Sequence, residues 1–568
     1  MSQLRQRHAP SATVVKSPSY QDLQRRSPVR SLKGVYAFGF LFACRCVSAL
    51  FNIVHDCDEV FNYWEPLHYL LYGSGLQTWE YSAEYALRSY LYLLLHATVA
   101  APAAVWLGSG KGKLIVFYLV KLALGAASAA TEAKLYRATC VHVGSRTGNI
   151  LLLLLAAAPG LFFASTSLLP SSFTMYLLTL AAAYVLEGKS LKVVASAVVG
   201  VVCGWTVAGL AFVPYAFYVL FAPQLGRSIL MLTSALALTT IPTLAIDTVL
   251  YGKWTVSLLN FLRYNVAGGG DSALYGTEGP VYYIRNGLNN LNLVLLLVLL
   301  APVAGLAQWW RSRQKLPQRL LLAVAPAFLW LAAITALPHK EERFLYVTYP
   351  VMCLVAAAVL AAAPGLIIWG TSAVLPRRAS HMLGRVLVRA ALVAFLLLSA
   401  SRITAILSNY SASMHIYRYL PEEPHRLDKD GMANVCTGAE WHRFPSAFFL
   451  PSPAYRLAFI PSTFNGLLPA RFDVNKNGTA AAPASLNDRN RQDLGNVLPD
   501  ASSCAYLVTW STPGMPDTGW VKPDWEELVS LKYVDASQSP SWLLRALYIP
   551  WLSAKRNKHV QYVLLRRL

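Results

Sequence analysis

The sequence predicts a polytopic α-helical membrane protein with about eleven transmembrane helices and a mixed α/β C-terminal domain. Three observations carry this. The 568-residue chain is 55% hydrophobic and only 14% charged, with a mean hydropathy of +0.41, whereas soluble domains average about 25% charged residues. Apolar runs long enough for a helix to cross a bilayer, roughly 20 residues, recur near 34–54, 86–107, 114–137, 149–168, 172–187, 191–220, 227–250, 287–308, 320–337, 344–369 and 386–408. After Ser408 the composition changes to that of a soluble domain.

Residues 1–33 carry Arg5, Arg7, Lys16, Arg25, Arg26, Arg30 and Lys33 against Asp22 alone and are rich in Ser, Pro and Gln. They read as a disordered basic cytosolic tail. No cleavable signal precedes the first span, which is expected to serve as its own insertion signal. The basic loops Lys111–Lys113, Arg311–Arg319 and Arg377–Arg389 then share the cytosolic side. An odd number of spans places residues 409–568 on the opposite side. Pro159-Gly160 and Pro170-Ser171-Ser172 interrupt the pattern between Ile150 and Phe221. Basic loops account for most of the +21 net charge, which removes the usual reason to infer nucleic-acid binding. Arg45, late in the first span, is expected either to snorkel to the interface or to meet a phosphate.

Within the transmembrane module, 34–408, three loops on the non-cytosolic side stand out: 55–85, 251–286 and 338–343. The stretch His55–Arg88 holds Asp56, Asp58, Glu59, Glu65, Glu80 and Glu84 with no Lys or Arg before Arg88, an acidic concentration in a basic chain. Val60, Tyr63, Trp64, Leu67, Leu70 and Leu71 recur at helical spacing. They predict a helix lying in the interface with Asp58, Asn62 and Glu65 toward water, kinked at Pro66 and turned at Gly73-Ser74-Gly75. Interfacial aromatics and Glu80 follow, Trp79 among them. The second loop combines Trp254, Arg263, Tyr264, Asn265, Gly268-Gly269-Gly270, Asp271 and Tyr275, and its aromatic density predicts order. The third, PHKEERF at Pro338–Phe344, sets five consecutive ionisable residues between two spans, where such groups point to function.

The C-terminal domain, 409–568, shows strand-like alternation at Cys504–Trp510 and Val560–Leu564 and glycosylation acceptor patterns at Asn409 and Asn477. Asn477 looks the usable one. Five of the eight cysteines lie in apolar runs and Cys57 lies in the acidic motif, leaving Cys436 and Cys504 here. These two would pair in an oxidising compartment if their separation allows it.

Taken as one pocket, the loops offer carboxylates (Asp58, Glu59), cations able to hold phosphate (Lys340, Arg343, Arg263) and groups suited to sugars (Trp64, Trp79, Glu80, Trp254). Transfer from a phosphorylated membrane carrier to a hydroxyl needs this combination: a base for the hydroxyl and fixed cations for the departing phosphate. A lipid-linked sugar transporter or flippase would also place carboxylates at membrane depth. It would, however, be marked by internal repeats, and none is visible.

The segment DCDEVFNYWEPLHYLLYGSGLQTWEYS, the element HKEERF and the tail element EWHRFPSAFFLP together resemble the endoplasmic reticulum α-1,2-mannosyltransferases of N-glycan precursor assembly, polytopic enzymes of the GT-C superfamily. The likeness runs from Gly34 to Leu568. Related GPI-anchor or α-1,6-mannosyltransferases are the nearest alternative, and the YGSGLQTWEY and EWHRFPSAFFLP segments favour the N-glycan enzymes. The resemblance implies a GT-C fold, a multi-pass endoplasmic reticulum membrane location with a lumenal active site, contact with membrane lipid, and two lipid-linked substrates. These are dolichyl-phosphate mannose as donor and the dolichyl-diphosphate-linked oligosaccharide as acceptor. It also implies inversion, from a β-linked donor to an α-linked product, with an acidic base in the first loop. GPI-anchor relatives carry His-Pro-Asp-Glu there, so Asp58-Glu59 matches their Asp-Glu and Asp56 stands in place of their His. On that basis Asp58 is the expected base, Glu59 positions it or the acceptor, and Asp56 supports. His339, Lys340 and Arg343 would meet the donor phosphate, with Glu341 orienting one of them. The histidines are scattered and no metal cluster is evident, so a reaction without metal or other cofactor is expected.

Overall fold

The computed structural model describes residues 31–265, 272–313, 317–473, 478–511 and 524–568. The expected glycosylation site Asn477, the glycine run 268–270 with Asp271, and nearly all of the basic tail lie outside these residues. Eight helices are long and apolar enough to cross a membrane: Gly34–Phe51, Tyr90–Leu107, Gly112–His142, Leu225–Leu250, Leu293–Ser312, Gln318–Ala336, Glu342–Thr371 and Arg377–Tyr410. Against about eleven apolar runs in the sequence, the difference lies between Ile150 and Phe221. There the chain breaks into Ser145–Ala157, Pro159–Ala164, Pro170–Glu187, Ser190–Val199, a π turn Gly200–Gly204, a 3-10 segment Thr206–Phe212 and Val213–Leu220. Pro159 and Pro170 each open a helix in its first turn, where the missing N–H costs nothing.

The bundle is centred on the packing of Gly34–Phe51 against Gly112–His142. A Cβ at Gly125 would lie 3.1 Å from Cβ of Arg45, so glycine is what lets these backbones approach. Arg45 uses the approach to reach Glu132, Nη2 to Oε2 2.8 Å with both side chains 1% exposed, and its Nη2 also donates to the Leu155 carbonyl. It neither snorkels nor faces a phosphate; it is half of an internal ion pair.

At the loop end of the bundle sits the C-terminal domain. Its five-stranded sheet has the order β3-β2-β5-β7-β6, with β2 Ala433–Thr437, β3 Tyr455–Phe459, β5 Tyr506–Ser511, β6 Trp525–Val534 and β7 His559–Arg567. β2 runs parallel to β3 and β5, while β7 pairs antiparallel with β5 and β6. Cys436 and Cys504 form a disulfide with Cα atoms 5.8 Å apart, tying β2 to the segment leading into β5. Asn409 is buried and its amide donates to the Arg545 carbonyl, so it is not presented for glycosylation. Two short strands, β1 Leu76–Gln77 and β4 Ala470–Arg471, pair antiparallel and fasten the first loop to this domain.

That fastening changes the first loop. It was expected to be an interfacial helix with a wet polar face; instead Val60–Trp64 forms a π turn and Glu65–Tyr72 an α-helix, with every residue from Glu59 to His68 buried. Pro66 sits in the first turn of that helix and produces no kink; the irregularity precedes it. The element EWHRFPSAFFLP closes over this helix: Phe448 packs on Trp64, His68 and Tyr72 with ring centroids 5.0–6.0 Å apart. Glu65, expected to face water, is 1% exposed and accepts hydrogen bonds from Ser446 Oγ (2.9 Å), the Ala447 N–H (2.6 Å) and the Leu76 N–H (3.2 Å). Its neutral isostere cannot accept all three. Glu65→Gln is therefore expected to destabilise the protein by about 1.5–3 kcal/mol. The check is a lowered melting temperature together with faster proteolysis of 439–450.

Candidate active site

Two loops far apart in sequence meet at one end of the bundle. Asp56 caps the short helix Cys57–Glu59, its Oδ1 accepting the Asp58 N–H at 2.9 Å, and this turns both aspartates toward the Pro338–Phe344 element. There Arg343 spreads its fork over three carboxylates: Nη1 to Asp56 Oδ2 at 3.1 Å, Nη2 to Asp58 Oδ2 at 2.5 Å, and Nη2 to Glu341. Of the first-loop pair, the Asp58 side chain is 39% exposed and that of Asp56 26%, and Oδ1 of Asp58 has no hydrogen bond among the described residues.

His339 completes the group. Its Nε2 lies 2.8 Å from Glu341 Oε1 and its Nδ1 2.9 Å from the Gly276 carbonyl. Both partners accept, so both ring nitrogens must donate and the imidazolium is favoured. The Glu341 hydrogen bond raises the His339 pKa, with burial opposing.

The second loop holds the third in place. On the helix Tyr282–Leu291, Tyr283 donates to the Glu341 carbonyl, and Asn286 and Asn290 donate to the two oxygens of Glu342 at 3.0 and 2.8 Å. From below, a Cβ at Gly160 would come within 2.6 Å of the Tyr349 ring, so this glycine admits the start of the following span directly under the turn.

Charge separates the two aspartates. Burial would raise Asp58, but the charge and hydrogen bond of Arg343, with Arg88 and His339 adding, hold it below the ordinary carboxylate range. Burial pushes Asp56 up to about 7, opposed by Arg343 and reinforced by Asp58 and Glu341. An acid whose folded pKa exceeds the unfolded value of about 3.9 binds more protons when folded, so its contribution to stability falls as pH rises from about 4 to about 7. Accordingly, the melting temperature of the unsubstituted protein should drop between about pH 5 and pH 8 more steeply than that of Asp56→Asn, which lacks this titration.

The other expected site residues lie elsewhere. Glu59 is 3% exposed and accepts from Trp64 Nε1 at 3.0 Å and the Leu168 N–H at 2.8 Å; it braces the loop against the bundle, and burial raises its pKa against these bonds. Trp64 is wholly buried. Trp79 packs between Tyr85 and Tyr264, and Glu80 makes a two-pronged pair with Arg88 at 2.9 and 3.0 Å. Lys340 is 7% exposed and donates to the Glu278 and Leu337 carbonyls, pointing away from the aspartates although it is three residues from Arg343. Arg263 and Trp254 are exposed on the second loop, outside the cluster.

Arg88 is the residue that sequence reasoning missed. It donates to Tyr63 Oη at 2.8 Å as well as to Glu80, and its buried Nε has no partner among the described residues. It lines a cavity between helices with Tyr63, Tyr92, Pro170, Trp205 and Phe261. Its place as the first cation after a long acidic stretch is the only signal the sequence offers. As to metals, Asp56, Cys57 and Asp58 each place a ligand atom within 4.8 Å of the others, an Asp-x-Asp spacing the sequence reading passed over as a ligand set. Burial keeps the Cys57 thiol well above its ordinary pKa, a poor thiolate donor, and Arg343 already bridges the two carboxylates.

A helical bundle roofed by a mixed sheet, with acidic and basic loops meeting between them, is GT-C architecture. The structure of ArnT from Cupriavidus metallidurans bound to undecaprenyl phosphate matches it with a TM-score of 0.51 over 93% of this chain and 97% of that one; at 13% identity the likeness is one of fold. This is a multi-pass membrane protein of GT-C fold.

The Alg9-like mannosyltransferase family model matches residues 36–451. Alpha-1,2-mannosyltransferase ALG9 of Arabidopsis thaliana is 40% identical over 543 residues, 93% of this chain and 91% of the relative. The enzyme of the same name from Mus musculus is 37% identical over 551 residues, 94% and 89% of the two chains. The chain belongs to the Alg9-like mannosyltransferase family.

Proposed function

We propose that this chain transfers mannose from dolichyl-phosphate mannose to a dolichyl-diphosphate-linked oligosaccharide at the lumenal face of the endoplasmic reticulum, forming an α-1,2 linkage with inversion. The observation that carries this reading is the meeting of Asp58 with Arg343 across 285 residues of sequence: a carboxylate with an open oxygen beside a guanidinium able to receive a phosphate.

In this mechanism Asp58 Oδ1 accepts the proton of the acceptor hydroxyl as its oxygen bonds to C1 of mannose. The bond from C1 to the phosphate oxygen breaks on the opposite face, and dolichyl phosphate leaves with the electron pair. No general acid is needed, because Arg343, the His339 imidazolium and Arg88 can stabilise the departing anion. The partial protonation of Asp56 near pH 7 lessens the negative charge an anionic donor would meet. The apolar walls of the cavity that Arg88 helps to line suit the first isoprene units of the donor. Lys340 supports the turn from beneath. Glu59 holds the loop that carries the base.

The reading is tested with the purified protein in proteoliposomes. Given dolichyl-phosphate mannose and a truncated lipid-linked oligosaccharide, the acceptor should become one hexose heavier, and a nucleotide-activated mannose should not substitute. Because fixed cations take the phosphate, a divalent-metal chelator is expected to leave the rate within about twofold. Strong inhibition restored by added Mg²⁺ or Mn²⁺ would instead assign a metal to Asp56 and Asp58.

A further inference from the structure

The C-terminal domain contains a cleft the chemistry above does not use. It offers about 920 Å³ between the edge strand β3, the β4 region and residues 481–498, at the upper end of the roughly 300–1,000 Å³ typical of ligand sites. Its back wall is a sheet edge. The Ala454 carbonyl and the Ile460 N–H bond toward β2, so the alternate residues Leu457 and Phe459 direct their backbone groups outward into the cleft. There the Phe459 carbonyl accepts from the Leu498 N–H at 2.8 Å. The Phe459 N–H and both backbone groups of Leu457 meet no partner among the described residues. Ser485 and Asn496 add neutral polar groups, and the exposed Arg471 and half-buried Asp473 add one charge of each sign.

The cleft is mechanically continuous with the reacting loop. Phe61, three residues beyond Asp58, packs against Phe459 with centroids 6.5 Å apart, and Leu76, at the end of the same loop, pairs with Arg471. Neutral backbone and side-chain groups, flanked by one arginine and one aspartate of offsetting charge and set among apolar walls, match a ligand rich in hydroxyls, since each hydroxyl both donates and accepts. A peptide adding as a strand would need a longer free edge; Leu498 already occupies the Phe459 carbonyl.

Resting on the function proposed above, we propose that this cleft binds the oligosaccharide of the acceptor, holding the glycan already built while the growing arm reaches Asp58. Binding of a free branched mannose oligosaccharide to the full-length protein, measured without donor, tests this apart from transfer. Ala484→Trp would fill the cleft from an exposed position, with Ala482→Trp in its place if that variant does not fold. Leu494→Ser, 74% exposed and outside the cleft, is the control. The filled variant should bind the glycan at least about tenfold more weakly and show a matching rise in KM for the lipid-linked acceptor with kcat within about twofold. The control should behave as the unsubstituted protein. No glycan binding by the unsubstituted protein, equal binding by the filled variant, or competition by peptides rather than mannosides would overturn the assignment. A protein that binds the glycan but transfers nothing from dolichyl-phosphate mannose would overturn the donor reading and leave the cleft standing.

Discussion

Asp58→Asn is expected to reduce kcat by about 10²–10⁴-fold, the usual worth of a positioned base, with little change in melting temperature. The amide keeps an oxygen for Arg343 and loses only the ability to take a proton. Asp58 is the more exposed of the two aspartates and the one held ionised. Its low pKa makes it a modest base, which suffices when the leaving group is a phosphate met by fixed cations and proton removal need not run far ahead of bond cleavage. Asp56→Asn should cost much less, because the Asp58 N–H still finds an oxygen at residue 56. Near-abolition of transfer by Asp56→Asn, with Asp58→Asn close to normal, would move the base by two residues.

Replacement of Arg343 should have the largest combined effect. Its guanidinium is shared by Asp56, Asp58 and Glu341, and one ammonium cannot reproduce a fork spread over two loops. Arg343→Lys is expected to slow transfer by at least about 10²-fold, the scale for losing one preorganised group on a developing anion. Arg343→Ala should in addition destabilise the protein by roughly 3–5 kcal/mol, since it leaves partly buried carboxylates facing one another. That is a large fraction of a total stability of about 5–15 kcal/mol. Lowering the pH should recover part of this loss, because protonating Asp56 relieves the repulsion. A lysine variant with full activity would remove the guanidinium from the reaction.

The halves of the site were legible in the sequence for different reasons. Asp58 stood out as acid in a basic chain, and Arg343 as one of five ionisable residues squeezed between two spans. That they touch was not legible, because nothing local encodes a contact across 285 residues. That Asp58 would pair with Arg343 while Glu59 is buried against the bundle was also hidden. Glu65 looks like part of the wet side of an interfacial helix until the C-terminal domain is laid over it. Glu65 is then bonded to Ser446, 381 residues away. Lys340 and Arg343 show the same limit at short range: Arg343 lies in a 3-10 turn, Glu342–Phe344, that Lys340 precedes, and one goes to backbone carbonyls and the other to the aspartates. The bundle was read most faithfully where hydrophobic runs were long. It was read least faithfully between Ile150 and Phe221, where Pro and Gly divide the apolar sequence into pieces whose packing no hydropathy window contains.

The central claim is a single displacement at the anomeric carbon of a mannosyl phosphate, with Asp58 taking the proton. NMR of the anomeric proton and carbon of the product, made by the purified protein from the β-linked donor, tests this most directly. The expected product carries an α-1,2-linked mannose, with no mannosylated protein at any time during turnover. A β-linked product, or a covalent mannosyl adduct on Asp56 or Asp58, would contradict it.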